Sequence, residues 1–450
     1  MTMNDRSHLR SMTRALACLA LLLFGCLAPS PAAGPTPAEA QPNVPGGEEA
    51  PHAASPTVYL PAVDNQYAAG LIQPADLHYE GAFRLPPSPG TPEDVGWEWG
   101  GTALAYRAGG DESGPADGYP GSLIGAGHEH TQYISEVEIP VPVISAHKDP
   151  ADLNVARTLQ GFANVRGSLY DGLDWEMPRV GLAVAQGKLH FCWSTHAPGD
   201  PQDSGPSHGR CDLDLTHPRP AGTWRIGGYP KYVTSDYLFP IPAAWANAHT
   251  PGLDLATGRY RDGGQAAQGP ALLAIGPASA GSPPPAGSTL PAAPLLLYES
   301  VEQADAHTLE GYHHSDEWSG GAWLSAGGDA AVLFVGTKGQ GACWYGCADG
   351  TDAPPWPEDC NRGWWSTRFE AQMIFYDPAD LAAVARGEKE AWEPQPYARL
   401  NVDPYLYHLV DAQQWYRLGG AAFDPERGLL YVLERLADED RPLVHVWRVT

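Results

Sequence analysis

Five segments of one shared pattern, a final unit one strand short, and a composition of 51 Gly, 45 Pro, 15 Trp and 20 Tyr in 450 residues predict an all-β fold. The pattern is that of a β-propeller with five blades favoured and a sixth as the alternative. So many breakers leave little room for long helices, and the 43% apolar share is enough to build a sizeable core, which excludes a wholly disordered chain. A net charge of −26 argues against nucleic acid as a partner, because phosphate binding draws on Lys and Arg.

The N-terminus reads as an export signal. Arg6, Arg10 and Arg14 precede an apolar run over 15–24, too short to span a bilayer, which ends Leu23-Phe24-Gly25-Cys26. A signal peptide of lipoprotein type over 1–25, with lipid on Cys26, is expected; plain secretion with cleavage within 28–33 is the alternative. The Pro-, Ala- and Gly-rich residues 26–77 read as a flexible tether holding the body, 78–450, off a surface. Of 7 Cys, five remain in the body. In an oxidising compartment Cys192 is expected to pair with Cys211, and two of Cys343, Cys347 and Cys360 with each other. Cys343 with Cys360 is the pairing adopted, although the spacing leaves open which of the three stays single.

In the body an aromatic or charged approach leads through Gly or Pro into a small-apolar strand at 97–104, 174–182, 261–272, 316–324 and 415–423. Each is followed by a second strand, at 122–127, 188–194, 294–299, 331–336 and 429–434, with hairpin turns such as Ala185-Gln186-Gly187-Lys188. Third strands at 135–140, 235–242 and 371–378 end in Pro, and fourth strands at 156–162, 256–261 and 397–402 complete the units. A short surface helix is expected over 378–387, with Pro at its start and Gly at its stop. The stretch 207–264 holds enough strands for a sixth blade. The last unit ends at 443–449 with three strands, and residues 79–85 are expected to supply the fourth, joining first and last blades.

Three stretches, Tyr237-Leu-Phe-Pro-Ile-Pro-Ala-Ala-Trp245, His314-Ser-Asp-Glu-Trp-Ser-Gly-Gly-Ala-Trp323 and Gly363-Trp-Trp-Ser-Thr-Arg-Phe-Glu-Ala-Gln372, give residues 79–450 a resemblance to a group of uncharacterised bacterial exported proteins. The resemblance implies export and a propeller-like body, and it carries no catalytic residue.

Loops at the rim of a propeller's central channel usually carry its function. Loops entering the repeats hold Glu98, Asp174, Glu176, Asp262, Asp316 and Glu317 beside Trp97, Trp99, Trp175 and Trp318; leaving loops hold His128, Glu129, His130, His196, Glu299, Lys338 and Glu434. Indoles stack on sugar C–H faces while carboxylates accept hydroxyl hydrogen bonds, which suits an extracellular glycan, peptide or envelope protein. Paired carboxylates among Glu98, Glu176 and Glu317 would instead suit a glycoside hydrolase. Packing between blades accounts equally for the recurrent Trp residues, and ion pairs with Arg179, Arg261 and Arg417 for the acids. Weak zinc or calcium signals lie at His128-Glu129-His130, at His313-His314-Ser315-Asp316 and at Asp349 with Asp352, none with a defined ligand spacing, so neither metal nor cofactor is expected. A monomer touching the membrane through its lipid alone completes the expectation.

Overall fold

The computed structural model describes residues 70–88, 91–92, 94–111, 114–171, 179–193, 202–261, 268–276, 281–299, 307–409 and 417–450. The signal, Cys26 and most of the tether lie outside them, as do Asp174, Trp175, Glu176, His196 and Asp262. Residues 70–77, which composition groups with the tether, already belong to the body: Ile72 is fully buried, and its amide donates to the Ala330 carbonyl.

Strand β1 (Leu77–Arg84) comes first. Blade one follows as β2 (Leu104–Arg107), β3 (Ser122–Ala126), β4 (Ile134–Glu138) and β5 (Thr158–Ala163), and blade two as β6 (Val180–Ala185), β7 (Lys188–Trp193), β8 (His208–Asp212) and β9 (Ala221–Ile226). Blade three is β10 (Tyr237–Pro240), β11 (Leu255–Gly258), β12 (Gln268–Ile275) and β14 (Ala292–Tyr298); the two-residue β13 (Thr289–Leu290) pairs in parallel with β9. Blade four is β15 (Glu317–Ala326), β16 (Asp329–Gly346), β17 (Gly363–Tyr376) and β18 (Ala398–Asn401). Blade five is β19 (Leu418–Asp424), β20 (Leu429–Asp438) and β21 (Arg441–Val449), completed by β1, which pairs antiparallel with β21 from Leu77 opposite Val449 to Arg84 opposite Leu443. The inner strands β2, β6, β10, β15 and β19 each touch the next around the axis, and β19 touches β2. The fold is therefore a five-bladed β-propeller closed by its first and last strands.

Small residues make that ring narrow. A Cβ on Gly420 of β19 would sit 2.5 Å from the Leu104 amide of β2, so the inner strands approach through backbone. Outward from the axis, one apolar layer fills each gap between neighbouring blades: Leu123, Tyr431 and Val446 between blades five and one, for example, and Phe239, Trp318 and Phe334 between blades three and four. Each large side chain so buried contributes about 1.5–3 kcal/mol.

The phase of blade three differs from the expectation. Its inner strand is β10, whereas residues Gln268–Ile275, which overlap the Gly-rich segment expected to open the blade, form the third strand and Ala292–Tyr298 the fourth. The strands at 235–242 and 256–261, assigned by sequence to the end of blade two, open blade three. Blade two is completed by β8 and β9 from the stretch that suggested a sixth blade. β10 escapes the small-residue signature because its neighbour supplies the space: a Cβ on Gly321 of β15 would meet the Phe239 ring at 2.6 Å.

The helix expected over 378–387 is present as Pro378–Ala385, with the Asp377 carboxylate accepting from the Ala379 amide at 2.7 Å. The disulfide expectations need correction. Cys347 is bonded to Cys360, while Cys192, Cys211 and Cys343 are free thiols. Cys211 stands opposite Leu189 and Cys192 opposite His208, three places along one ladder. An odd offset puts them on opposite faces of the blade, Cys211 in the layer against blade one and Cys192 in the layer against blade three. Cys343 lies in the strand pair opposite Ser366, before the turn that brings Cys347 and Cys360 together.

Candidate functional site

Inner strands begin, and second strands end, on one face of the ring, termed the upper face. Here Arg179 precedes β6, Asp236 precedes β10 and Glu317 opens β15, while Arg259, Tyr260 and Arg261 leave β11. The Glu317 carboxylate lies 3.4 Å from Arg179 and 3.3 Å from Arg261, and Asp236 lies 3.2 Å from Arg259. Arg179 and Glu317 come from blades two and four, which are not neighbours, so their pair bridges the mouth of the channel over the start of blade three. Three guanidiniums surround one phenol: Arg179 at 4.2 Å, Arg259 at 5.0 Å and Arg261 at 5.0 Å from the Tyr260 ring centroid. Burial lifts the Asp236 carboxyl above its ordinary range in spite of Arg259, and burial likewise raises the Tyr260 phenol.

Beneath this cluster the axis narrows to a cavity of about 10 Å³ beside Thr102, Val180, Ser319 and Gly420, room for no more than a water. Toward the lower face it widens to about 150 Å³ between apolar side chains that include Tyr106, Val184, Phe239, Ile241, Trp323 and Phe423.

Blade four reaches beyond the ring. Glu317 pairs with Thr337 at the upper rim, but β16 and β17 remain paired to Gly346 opposite Gly363, forming an arm that stands off the upper face. The Cys347–Cys360 disulfide staples its tip. Its base is pinned by Asp316, which accepts from Lys338 at 2.9 Å and from the Gly339 amide at 2.8 Å. Aromatic groups cover it: the Trp364 ring stacks on His314 at 4.0 Å and 13°, Tyr345 meets Trp364 edge-on at 5.4 Å, and Arg362 lies 4.8 Å over Trp356. Tyr345 is 43% exposed.

The residues expected to bind ligand divide accordingly. Trp97 and Trp318 are 1% exposed and belong to the layers between blades, Trp97 packed edge-on against Phe162. They are core. Trp99 is 44% exposed at the upper face, its carbonyl accepting from Arg435 at 3.0 Å, and Glu98 beside it is half-buried. Asp316 and Lys338 hold the arm. His128 is buried, its Nδ1 accepting from the His130 amide, and its pKa is lowered by burial and then by His130, which is exposed. Among the described residues no three His, Cys, Asp or Glu converge as a metal site, including those at 128–130, 313–316, Asp349 and Asp352. Of the carboxylates proposed for hydrolysis, Glu317 is taken up by two arginines. Arg417 bonds Asp403 at 2.7 Å. Sequence reasoning missed Arg259, Tyr260 and Asp236, which depend on the phase of blade three, and the aromatic arm, whose one sequence signal is the Cys347–Cys360 spacing around the run of Trp and Tyr.

No protein-family model matches this sequence, and no curated protein matches it at a significant level. Among the described residues no helix is long and apolar enough to cross a membrane.

Proposed function

We propose that this propeller is an exported binding module whose upper face, flanked by the aromatic arm of blade four, receives a saccharide. The arm carries the proposal: one hairpin, stapled by a disulfide and standing beyond the ring, carries Tyr345, Trp356 and Trp364, with His314 stacked on Trp364, so that aromatic faces are gathered beside the channel mouth. Flat apolar ring faces with polar edges suit the C–H faces and hydroxyls of a pyranose. A disulfide fits an oxidising compartment, which supports the export expected from the N-terminal signal. Hydrolysis is the weaker account, because Glu317 is bound by Arg179 and Arg261, which removes its freedom to serve as acid or nucleophile.

A glycan array probed with the full chain tests the proposal, with chromogenic glycosides assayed in parallel. Tyr345→Ala should weaken binding to the best glycan at least tenfold, about 1.4 kcal/mol, without moving the melting temperature. Unchanged affinity in that variant overturns the arm as the site. Glycoside turnover that is lost in Glu317→Gln replaces the binding module with an enzyme.

A further inference from the structure

The three-arginine cluster at the channel mouth is more than a set of ion pairs. Among the described residues three guanidiniums meet two carboxylates there, Glu317 and Asp236. Since all three guanidiniums lie within 5.0 Å of the Tyr260 centroid, no two are more than about 10 Å apart. Arg179 and Arg259 have side chains only 4% exposed, and each keeps one terminal nitrogen, Nη1 of Arg179 and Nη2 of Arg259, buried without a hydrogen-bond partner. Buried guanidinium N–H groups are ordinarily satisfied, so these are two unspent donors in one cluster, although Arg259 also stacks at 3.6 Å on the Tyr232 ring. Position adds to this. Arg179, Arg259, Arg261, Lys338, Arg417 and Arg435 all stand at the upper ends of inner or second strands, six of the 27 Lys and Arg in a chain of net charge −26. Among the described residues those six cations are paired with five carboxylates, Glu317, Asp236, Asp316, Asp403 and Glu129, and the single surplus positive charge falls in the three-arginine cluster, where Arg179 and Arg261 share Glu317.

We infer that this cluster binds the carboxylate of an acidic saccharide, with Arg179 and Arg259 donating to its oxygens at the channel mouth. The inference deepens the saccharide proposal and rests on it: the arm would hold the sugar faces, and the arginines would select uronic acids over neutral sugars. A carboxylate presents two coplanar acceptor oxygens, the geometry to which guanidinium N–H groups are matched.

Isothermal titration of the full chain with oligogalacturonate, its methyl ester, a neutral galactose oligomer, and inorganic phosphate and sulfate tests the inference. The expected result is binding of oligogalacturonate, at least tenfold weaker binding of the methyl ester, and a tenfold or greater loss of acid binding in Arg179→Gln. If Arg179→Gln fails to fold, Arg261→Gln, whose side chain is 23% exposed, serves in its place with the same expectation. Methyl ester binding as tight as the acid overturns the carboxylate assignment while leaving the saccharide proposal intact. Phosphate or sulfate binding as tightly as the uronate also overturns it, as does acid binding unchanged in both arginine variants. Neutral galactose bound through Tyr345 with no acid bound would sink this inference alone, and failure of every sugar would sink both.

Discussion

Gly420 shows how tightly the inner strands of the ring constrain a single residue. Its absent Cβ would stand 2.5 Å from the Leu104 amide, and the obstacle is backbone, which cannot turn aside as a side chain can. Gly420→Ala is therefore expected to force β19 and β2 apart and to lower stability by about 1–3 kcal/mol, read as a shift in the urea midpoint. Gly161→Ala on β5, where an added Cβ meets nothing within 4 Å, is the control and should stay within about 0.5 kcal/mol of the parent. Equal midpoints for the two variants would show that the inner strands are not packed through backbone. Single residues also show where sequence reasoning stops. Counting five cysteines in the body favoured Cys192 with Cys211, but the parity of a β-ladder places them on opposite faces, where both are buried and burial raises both thiols, Cys211 to about 12. Parity depends on the register of β7 against β8, which composition does not encode.

At the scale of elements, blades are tied by buried polar links as well as by apolar layers. His208 of β8 bonds Ser207 through Nδ1 at 3.0 Å and Thr257 of β11 through Nε2 at 3.1 Å, joining blade two to blade three. Burial lowers its pKa to about 3, and burial with Arg210 beyond it lowers that of His190 on β7 to about 4. An unfolded chain protonates these imidazoles near pH 6.5, whereas the folded chain holds them neutral until about pH 4 and 3. Their contribution to stability is fully present above pH 6.5 and is lost as pH falls through that window. Melting temperature should drop progressively from pH 7 to pH 4, and His208→Gln should flatten the slope; parallel curves for parent and variant would refute the linkage. Elements also explain what the sequence disclosed. Blades one, two, four and five announce their inner strands because each supplies its own small residues at the axis, as Gly419 and Gly420 do on β19. Blade three does not, since Phe239 occupies space left by Gly321 on β15, so the information sits in a different blade. That one phase error hid Asp236, Arg259 and Tyr260, although Arg179 and Arg261 were legible as partners for the acids. The arm was missed for a different reason: its residues read as ordinary strand, and nothing local tells a strand to continue past the rim.

The whole molecule depends on one junction that no covalent connection makes. Four blades are built from consecutive segments, but blade five takes its outer strand from the other end of the body, and the β1–β21 pairing holds that strand in place beside the β19–β2 contact and the apolar layer between blades five and one. That pairing is well anchored. Phe83 and Ala82 are fully buried, the Tyr79 hydroxyl meets His445 Nδ1 at 2.9 Å, Arg84 bonds Asp438 at 3.0 Å, and Arg448 bonds Glu80. Beneath it His445 Nε2 and Glu434 lie 2.8 Å apart, both within 1% of full burial, so exposing the β21 edge would also open a polar pair to water. Losing β1 removes a ladder of backbone hydrogen bonds and the burial of Leu77 and Phe83, each large side chain worth about 1.5–3 kcal/mol, against a net stability of about 5–15 kcal/mol for a typical domain. It also leaves a long apolar edge strand open to pairing with another chain. A chain beginning at Pro86 should therefore aggregate or unfold without a cooperative transition, whereas one beginning at Gly70 should melt as the full chain does. Adding a synthetic peptide of residues 70–85 in trans should restore the cooperative melt of the shortened chain, because the missing element is a strand and not a folding signal. Cooperative melting of the shortened chain at the parent temperature would mean that side-chain packing alone closes the ring.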